Sequence, residues 1–361
     1  MATAWKDKLN RDTVGEFAQS IKSVYEVFNV NKFMKSTMED WDSLELMARG
    51  RRITENMQKF LPADYKEAIS IMDKVIVISD DFFKMCFPTF VELYGTDEKH
   101  WDISMAALEL YTQYSSSEFA VRPFIINHEE RMMAQMYAWS KHENEHVRRL
   151  SSEGCRPALP WGVALVKYKK DPSPILPILE ELKADSSEYV RKSVANNLND
   201  ISKTHPDLVA KLAKKWHGKD KFTDWIVKHG CRTLLKKGNR DVLAIFGLSN
   251  ADAVDVSSFA LSKTAISFGG DITFSFEIEA KEDTKVRLEY GMDFMKANGK
   301  QNRKIFQISE IAMKAGQKKS YSKSHSLADV SVRKHYPGVH AITLIINGTE
   351  RGTLEFEVLS L

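Results

Sequence analysis

Residues 146–162 read HVRRLSSEGCRPALPWG and bring together Arg148, Arg149, Glu153, Arg156 and Trp161. Guanidinium forks match phosphate oxygens, a carboxylate held among cations can stabilise a positive charge that develops during a reaction, and an indole face attracts cations. A second stretch, VRKSVANNLNDISK at 190–203, places Val190, Val194, Leu198 and Ile201 along one helical stripe and Lys192, Asn196 and Asp200, four apart, along its neighbour. A shift of 43 residues sets Arg149 opposite Lys192 and Glu153 opposite Asn196. One stripe would then carry base and acid on successive repeats, giving a positive groove with recessed carboxylates.

Each of these residues also has a plainer account. Arg149 and Glu153 have the spacing of an i,i+4 ion pair, and Asp200 would suit a helix end. Glu118, in SSSEF, has the S-x-x-E spacing of a capping box with Ser115, and Pro123 would limit that helix. Trp161 sits between Pro160 and Gly162 in an extended loop, where it would serve as core filling or as an exposed platform.

Repeated helices would have to hold such a stripe. Up to about residue 245 the apolar residues recur three and four apart, as in IMDKVIVI and ILPILEELKA. The segments NEHVRRLSSEG, SEYVRKSVANN and DWIVKHGCRTL bring Val147, Val190 and Val227 into register at spacings of 43 and 37 residues. Repeats of about 40–47 residues are typical of HEAT-like solenoids. After about residue 250 the period becomes two: Ile272, Phe274, Phe276 and Ile278 alternate with polar residues, as do Val286, Leu288 and Tyr290, then Leu354, Phe356 and Val358. The expectation is a two-domain α+β chain, with an α-solenoid of HEAT-like repeats over 1–250 and an immunoglobulin-like β-sandwich over 251–361. Asn347-Gly348-Thr349 matches a glycosylation sequon but reads as a hairpin turn.

Composition narrows the function classes. With 361 residues, 43% hydrophobic and 28% charged, the chain can bury real cores. No window reaches 18 apolar residues and the start, MATAWKDKLN, is charged, so a cytoplasmic protein with no membrane span is expected. Cys86, Cys155 and Cys231 lack CxxC spacing, and HENEH at 142–146 lacks the HExxH order, so no metal or cofactor is expected. Residues 141–240 carry 21 Lys and Arg against 12 Asp and Glu, a net +9 within a chain of net +3. A basic block of that kind points to a polyanion such as nucleic acid.

The motifs SSSEFAVRPFI at 115–125, HVRRLSSEGCRPALPWG and VRKSVANNLNDISK, with the helical-then-sandwich layout, resemble the AlkC branch of bacterial DNA-alkylation-repair glycosylases. The resemblance implies a site formed by Glu118, Glu153, Trp161 and Asp200, with Arg148, Arg149 and Arg156 in the surrounding groove. Arg191, Lys192, Asn196 and Arg232 are read as further DNA contacts. It implies a monomeric, cofactor-free, monofunctional hydrolase that releases cationic alkylated bases, foremost 3-methylcytosine and 1-methyladenine, from double-stranded DNA of the nucleoid. Rival readings are a non-catalytic HEAT scaffold, a structural DNA-binding protein, and a sister glycosylase for 3-methyladenine or 7-methylguanine. The basic pairs Lys318-Lys319 and Arg333-Lys334 suggest that the sandwich helps clamp DNA.

Overall fold

The computed structural model describes residues 5–329 and 334–360, so Arg333 lies outside the described residues. Sixteen α-helices occupy the described residues up to Ile245, and eight strands follow from Val254. No helix among them is long and apolar enough to cross a membrane.

The three valines that mark the repeat register lie on the helices Glu145–Gly154, Glu188–Ile201 and Lys221–Gly230, and each is at most 1% exposed. These helices pack in succession, the first on the second and the second on the third. Asn144 caps the first by accepting from the His146 N–H at 2.9 Å, and Ser187 starts the second. Small residues let the first two approach: Ser152 Oγ lies 2.7 Å from Ser193 Oγ, and Asn197 Nδ2 donates to the Ser152 carbonyl at 2.8 Å. The stripe Val190, Val194, Leu198 and Ile201 is buried, as its spacing predicts.

The strands are β1 (Val254–Leu261), β2 (Ala265–Ile266), β3 (Asp271–Ala280), β4 (Thr284–Met295), β5 (Gln301–Met313), β6 (Lys318–Ser326), β7 (Gly338–Ile346) and β8 (Thr349–Val358). They form a three-stranded sheet, β1-β3-β6, and a five-stranded sheet, β2-β8-β7-β4-β5, in which only the β2–β8 pairing is parallel. Phe274, Ile278, Leu288, Met292, Leu344 and Phe356 fill the core between them. The sequon is the β7–β8 turn: Asn347 and Gly348 both take positive φ, 47° and 75°, which right-twisted two-residue hairpins require. The Asn347 side chain is buried, accepting from the Arg287 N–H and donating to the carbonyls of Asn250 and Lys285.

Helix gives way to strand between Ile245 and Val254, yet the compact units divide elsewhere. One comprises residues up to 204 together with 218–230; the other comprises 205–217 and 231 onward. The helices Pro206–Trp216, Arg232–Lys236 and Arg240–Ile245 thus belong with the sandwich. A Cβ on Gly348, at the β7–β8 turn, would lie 2.8 Å from Gly238 Cα. A cut at residue 250 would therefore pass through the second unit.

Candidate active site

Two arginines link three carboxylates into one chain of alternating charge. Arg149 donates to Glu118 at 2.5 Å and lies 3.5 Å from Glu153; Arg156 binds Glu153 at 2.5 Å and Asp200 at 2.9 Å; Lys203 binds the other Asp200 oxygen at 2.9 Å. Ser116 Oγ donates to Glu118 Oε2 and accepts from Arg149, each at 2.7 Å. The Arg149 guanidinium lies over the Tyr189 ring, 4.9 Å from its centroid. Burial opposes the Arg156 charge, but the Glu153 and Asp200 carboxylates outweigh it and raise its pKa above the ordinary arginine value.

The Glu118 segment departs from its capping-box expectation. Ser116, not Ser115, meets the Glu118 side chain, and the residues around Glu118 are turns. Pro123 opens the next helix, Arg122–Asn127, instead of stopping one, because the first helical turn needs no N–H from it. Glu118 is thereby freed from capping and faces Arg149.

Trp161 is a platform: it is 87% exposed and sits at φ 64°, a left-handed conformation uncommon for a bulky residue. Its loop is closed by the Leu165 N–H donating to the Pro157 carbonyl at 3.2 Å. Buried Arg122, which sequence reasoning passed over, holds both sides of that loop. Its guanidinium donates to the carbonyls of Gly154 at 2.8 Å, Arg156 at 3.1 Å and Val163 at 2.5 Å. Burial, the leading cause, pushes the Arg122 pKa down to about 10. A Cβ on Gly154 would lie 2.5 Å from Val121, so glycine lets the helix end approach the Glu118 turn.

Glu118, Glu153, Arg156 and Trp161 line one cavity of about 450 Å³. The helices Leu46–Phe60 and Cys86–Tyr94 also line it, through residues including Met47 and Glu92, as does Met85 just before the second of them. Those residues lie far upstream, and no motif in the sequence singles them out. Asp200, only 4% exposed, stands behind Arg156 and does not line the cavity.

The structure departs from expectation at four predicted DNA contacts: Arg149 and Arg156 are committed to the carboxylates described above, and Arg148 and Arg191 to the chain's own turns. Arg148 spends four of its five N–H groups internally, with two on Asp185 and two on the His142 and Glu143 carbonyls. Arg191, one repeat later, donates to the carbonyls of Asp185 and Ser186 and packs over Phe222 at 4.1 Å. Each reaches back five and six residues to fasten the turn before its own helix. Lys192 is exposed and pairs with Glu188 at 2.7 Å; Asn196 is half-buried on the same helix; Arg232 belongs to the second unit.

The family described as "DNA alkylation repair enzyme" matches residues 112–234, and that described as "Uncharacterised protein YhaZ, C-terminal Ig-like domain" matches residues 255–360. A Bacillus subtilis (strain 168) protein designated YhaZ is 47% identical over 354 residues, covering 98% of this chain and 99% of its own. The solved structure of Pseudomonas fluorescens alkylpurine DNA glycosylase AlkC, bound to DNA containing an abasic site analog, aligns with a TM-score of 0.95 at 35% identity. That alignment covers 99% of this chain and 100% of the other. Matched over nearly its whole length, in its helical part and in its sandwich alike, the chain belongs to the AlkC family of DNA alkylation repair enzymes.

Proposed function

We propose that this chain is a monofunctional DNA glycosylase that hydrolyses the N-glycosidic bond of cationic alkylated bases in double-stranded DNA. The observation that carries the reading is the placing of two arginine-held carboxylates, Glu118 and Glu153, in one cavity with an exposed tryptophan. The membership in the AlkC family supports it. Expected substrates are 3-methylcytosine and 1-methyladenine. The solved relative is named for alkylpurines, so 3-methyladenine and 7-methylguanine form the second reading.

In the proposed reaction the C1′–N bond breaks with its electron pair passing to the base, which enters the bond cationic and departs neutral. Positive charge builds on the deoxyribose, where Glu118 and Glu153 stabilise it. Their arginine partners fix them in place beforehand, so little reorganisation is needed as the charge forms. One of the two carboxylates positions a water and accepts its proton as the water oxygen bonds to C1′, leaving an abasic sugar. The Trp161 face contributes a cation–π contact of about 0.5–2 kcal/mol. Arg149 and Arg156 set the carboxylates; Lys192, Asn196 and Arg232 remain candidates for the DNA strand, and the sandwich at 251–361 adds grip through Lys318, Lys319 and Lys334. The protein acts as a monomer in the cytoplasm, at the nucleoid.

Duplexes with a single 3-methylcytosine, 1-methyladenine, 7-methylguanine or hypoxanthine test the reading by chromatography of released base. Free cationic-lesion base with an uncut abasic strand is expected, and no hypoxanthine. Absence of base release from every methylated duplex refutes it; fast 7-methylguanine release beside inert 3-methylcytosine selects the second reading.

A further inference from the structure

The ion-paired chain from Glu118 to Lys203 contains three carboxylates, Glu118, Glu153 and Asp200, and three cations, Arg149, Arg156 and Lys203. Its charges cancel. Of its members Glu118, Glu153 and Arg156 line the cavity, and each is already held in an ion pair, so a carboxylate free to answer a cationic base has to come from elsewhere.

Glu92, on the Cys86–Tyr94 helix, lines the same cavity. It is half-buried, and no hydrogen bond or ion pair to its carboxylate exists among the described residues. Leu46, Met47, Met85, Pro88 and Thr89 line the cavity with it, four of these five being apolar. Arg51, which acts on it from a distance, is already bound to Glu55 at 3.0 Å. An isolated carboxylate in such a lining is costly unless a cation arrives to meet it. The upward pKa shift that burial gives Glu92, only partly offset by Arg51, reports the same missing partner.

We propose that Glu92 is the specificity residue of this cavity, its unmatched carboxylate attracting a positively charged nucleobase and leaving neutral bases without an equivalent contact. The proposal rests on the glycosylase reading for the identity of the occupant. The labour is divided: the arginine-held carboxylates serve the sugar, and Glu92, a lining residue from the Cys86–Tyr94 helix, serves the base. Methylated purines and pyrimidines share the positive charge, so this contact selects charge in preference to ring size.

Binding of the full chain to two non-hydrolysable duplexes tests it. Both carry a 2′-fluorine, which withdraws electrons and disfavours the sugar cation; one has cationic 7-methylguanine at that nucleotide and the other neutral guanine. Wild type is expected to prefer the cationic duplex. Glu92→Gln should reduce that preference about tenfold, the equivalent of about 1.4 kcal/mol, with affinity for the neutral duplex unchanged. Glu92→Asp keeps the charge and should keep most of the preference. An unchanged preference in Glu92→Gln, an equal loss on both duplexes, or no preference in wild type overturns the assignment. Base release by wild type from the unfluorinated duplex is scored separately: discrimination without release would leave Glu92 as a cation selector and remove the hydrolysis.

Discussion

Glu153 and Arg156 meet at 2.5 Å across a single turn of chain, and the same guanidinium continues to Asp200. Neutralising either carboxylate therefore alters the site in a different way. Glu153→Gln removes a charge that lines the cavity; single-turnover base release should fall about a hundredfold, roughly 3 kcal/mol, with affinity for abasic-site DNA retained. Asp200→Asn removes a charge behind Arg156, where breaking a buried pair costs about 3–5 kcal/mol. Its expected mark is a lowered unfolding midpoint together with reduced release. Full thermal stability with abolished release would instead indicate direct contact between Asp200 and substrate.

Trp161 combines full display with an unfavourable backbone, so its removal separates function from folding. Trp161→Gly relieves the left-handed strain of about 1–2 kcal/mol and deletes the ring. Calorimetry should show a midpoint at or above wild type, while release slows by up to about thirtyfold, matching a lost contact of about 2 kcal/mol. A substantial loss of stability would mean that the indole is packed in solution.

The arginines of the basic block should separate by salt titration. Arg148→Gln frees Asp185 and two carbonyls, so it should lower stability and leave the slope of log affinity against log salt unchanged. Lys192→Gln, at an exposed position, should flatten that slope by about 0.9 with stability intact. The opposite pattern would return Arg148 to the DNA surface.

Glu92 also makes a prediction about pH. A carboxyl whose folded pKa is raised holds its proton more tightly in the native state, so ionising it costs stability as pH rises through the gap between unfolded and folded values. Glu92→Gln should therefore equal wild type below the ordinary glutamate pKa and exceed it at neutral pH. Thermal melts across that range check the sign; a variant that is less stable at neutral pH would show that the charge has a native partner.

The repeat register and the sandwich were legible because burial imposes a period: Val147, Val190 and Val227 are interior, and Ile272 through Ile278 alternate as a one-sided strand must. Glu118, Glu153 and Trp161 were legible through motif resemblance, and the cavity joins them. The direction of a guanidinium was not legible. Arg148 and Arg149 are adjacent, yet one faces the turn behind it and the other Ser116 and Glu118, about 100° around the helix. The recurrence of arginine just after Val147 and Val190, each preceded by an acidic turn, was the available signal. Glu92 and Arg122 escaped because their importance comes from neighbours remote in sequence, which local patterns do not encode.

An enzyme that grips a polyanion while presenting acids at its reaction centre faces an apparent conflict, since carboxylates push phosphates away. The alternating chain from Glu118 to Lys203 avoids it. A string of paired charges has no monopole, so its field fades over a few ångströms, whereas an unpaired charge is felt over a screening length of about 8 Å at physiological ionic strength. Approaching DNA is thus met by the surplus lysines and arginines of the basic block, and the acids become perceptible only to an atom already seated among them.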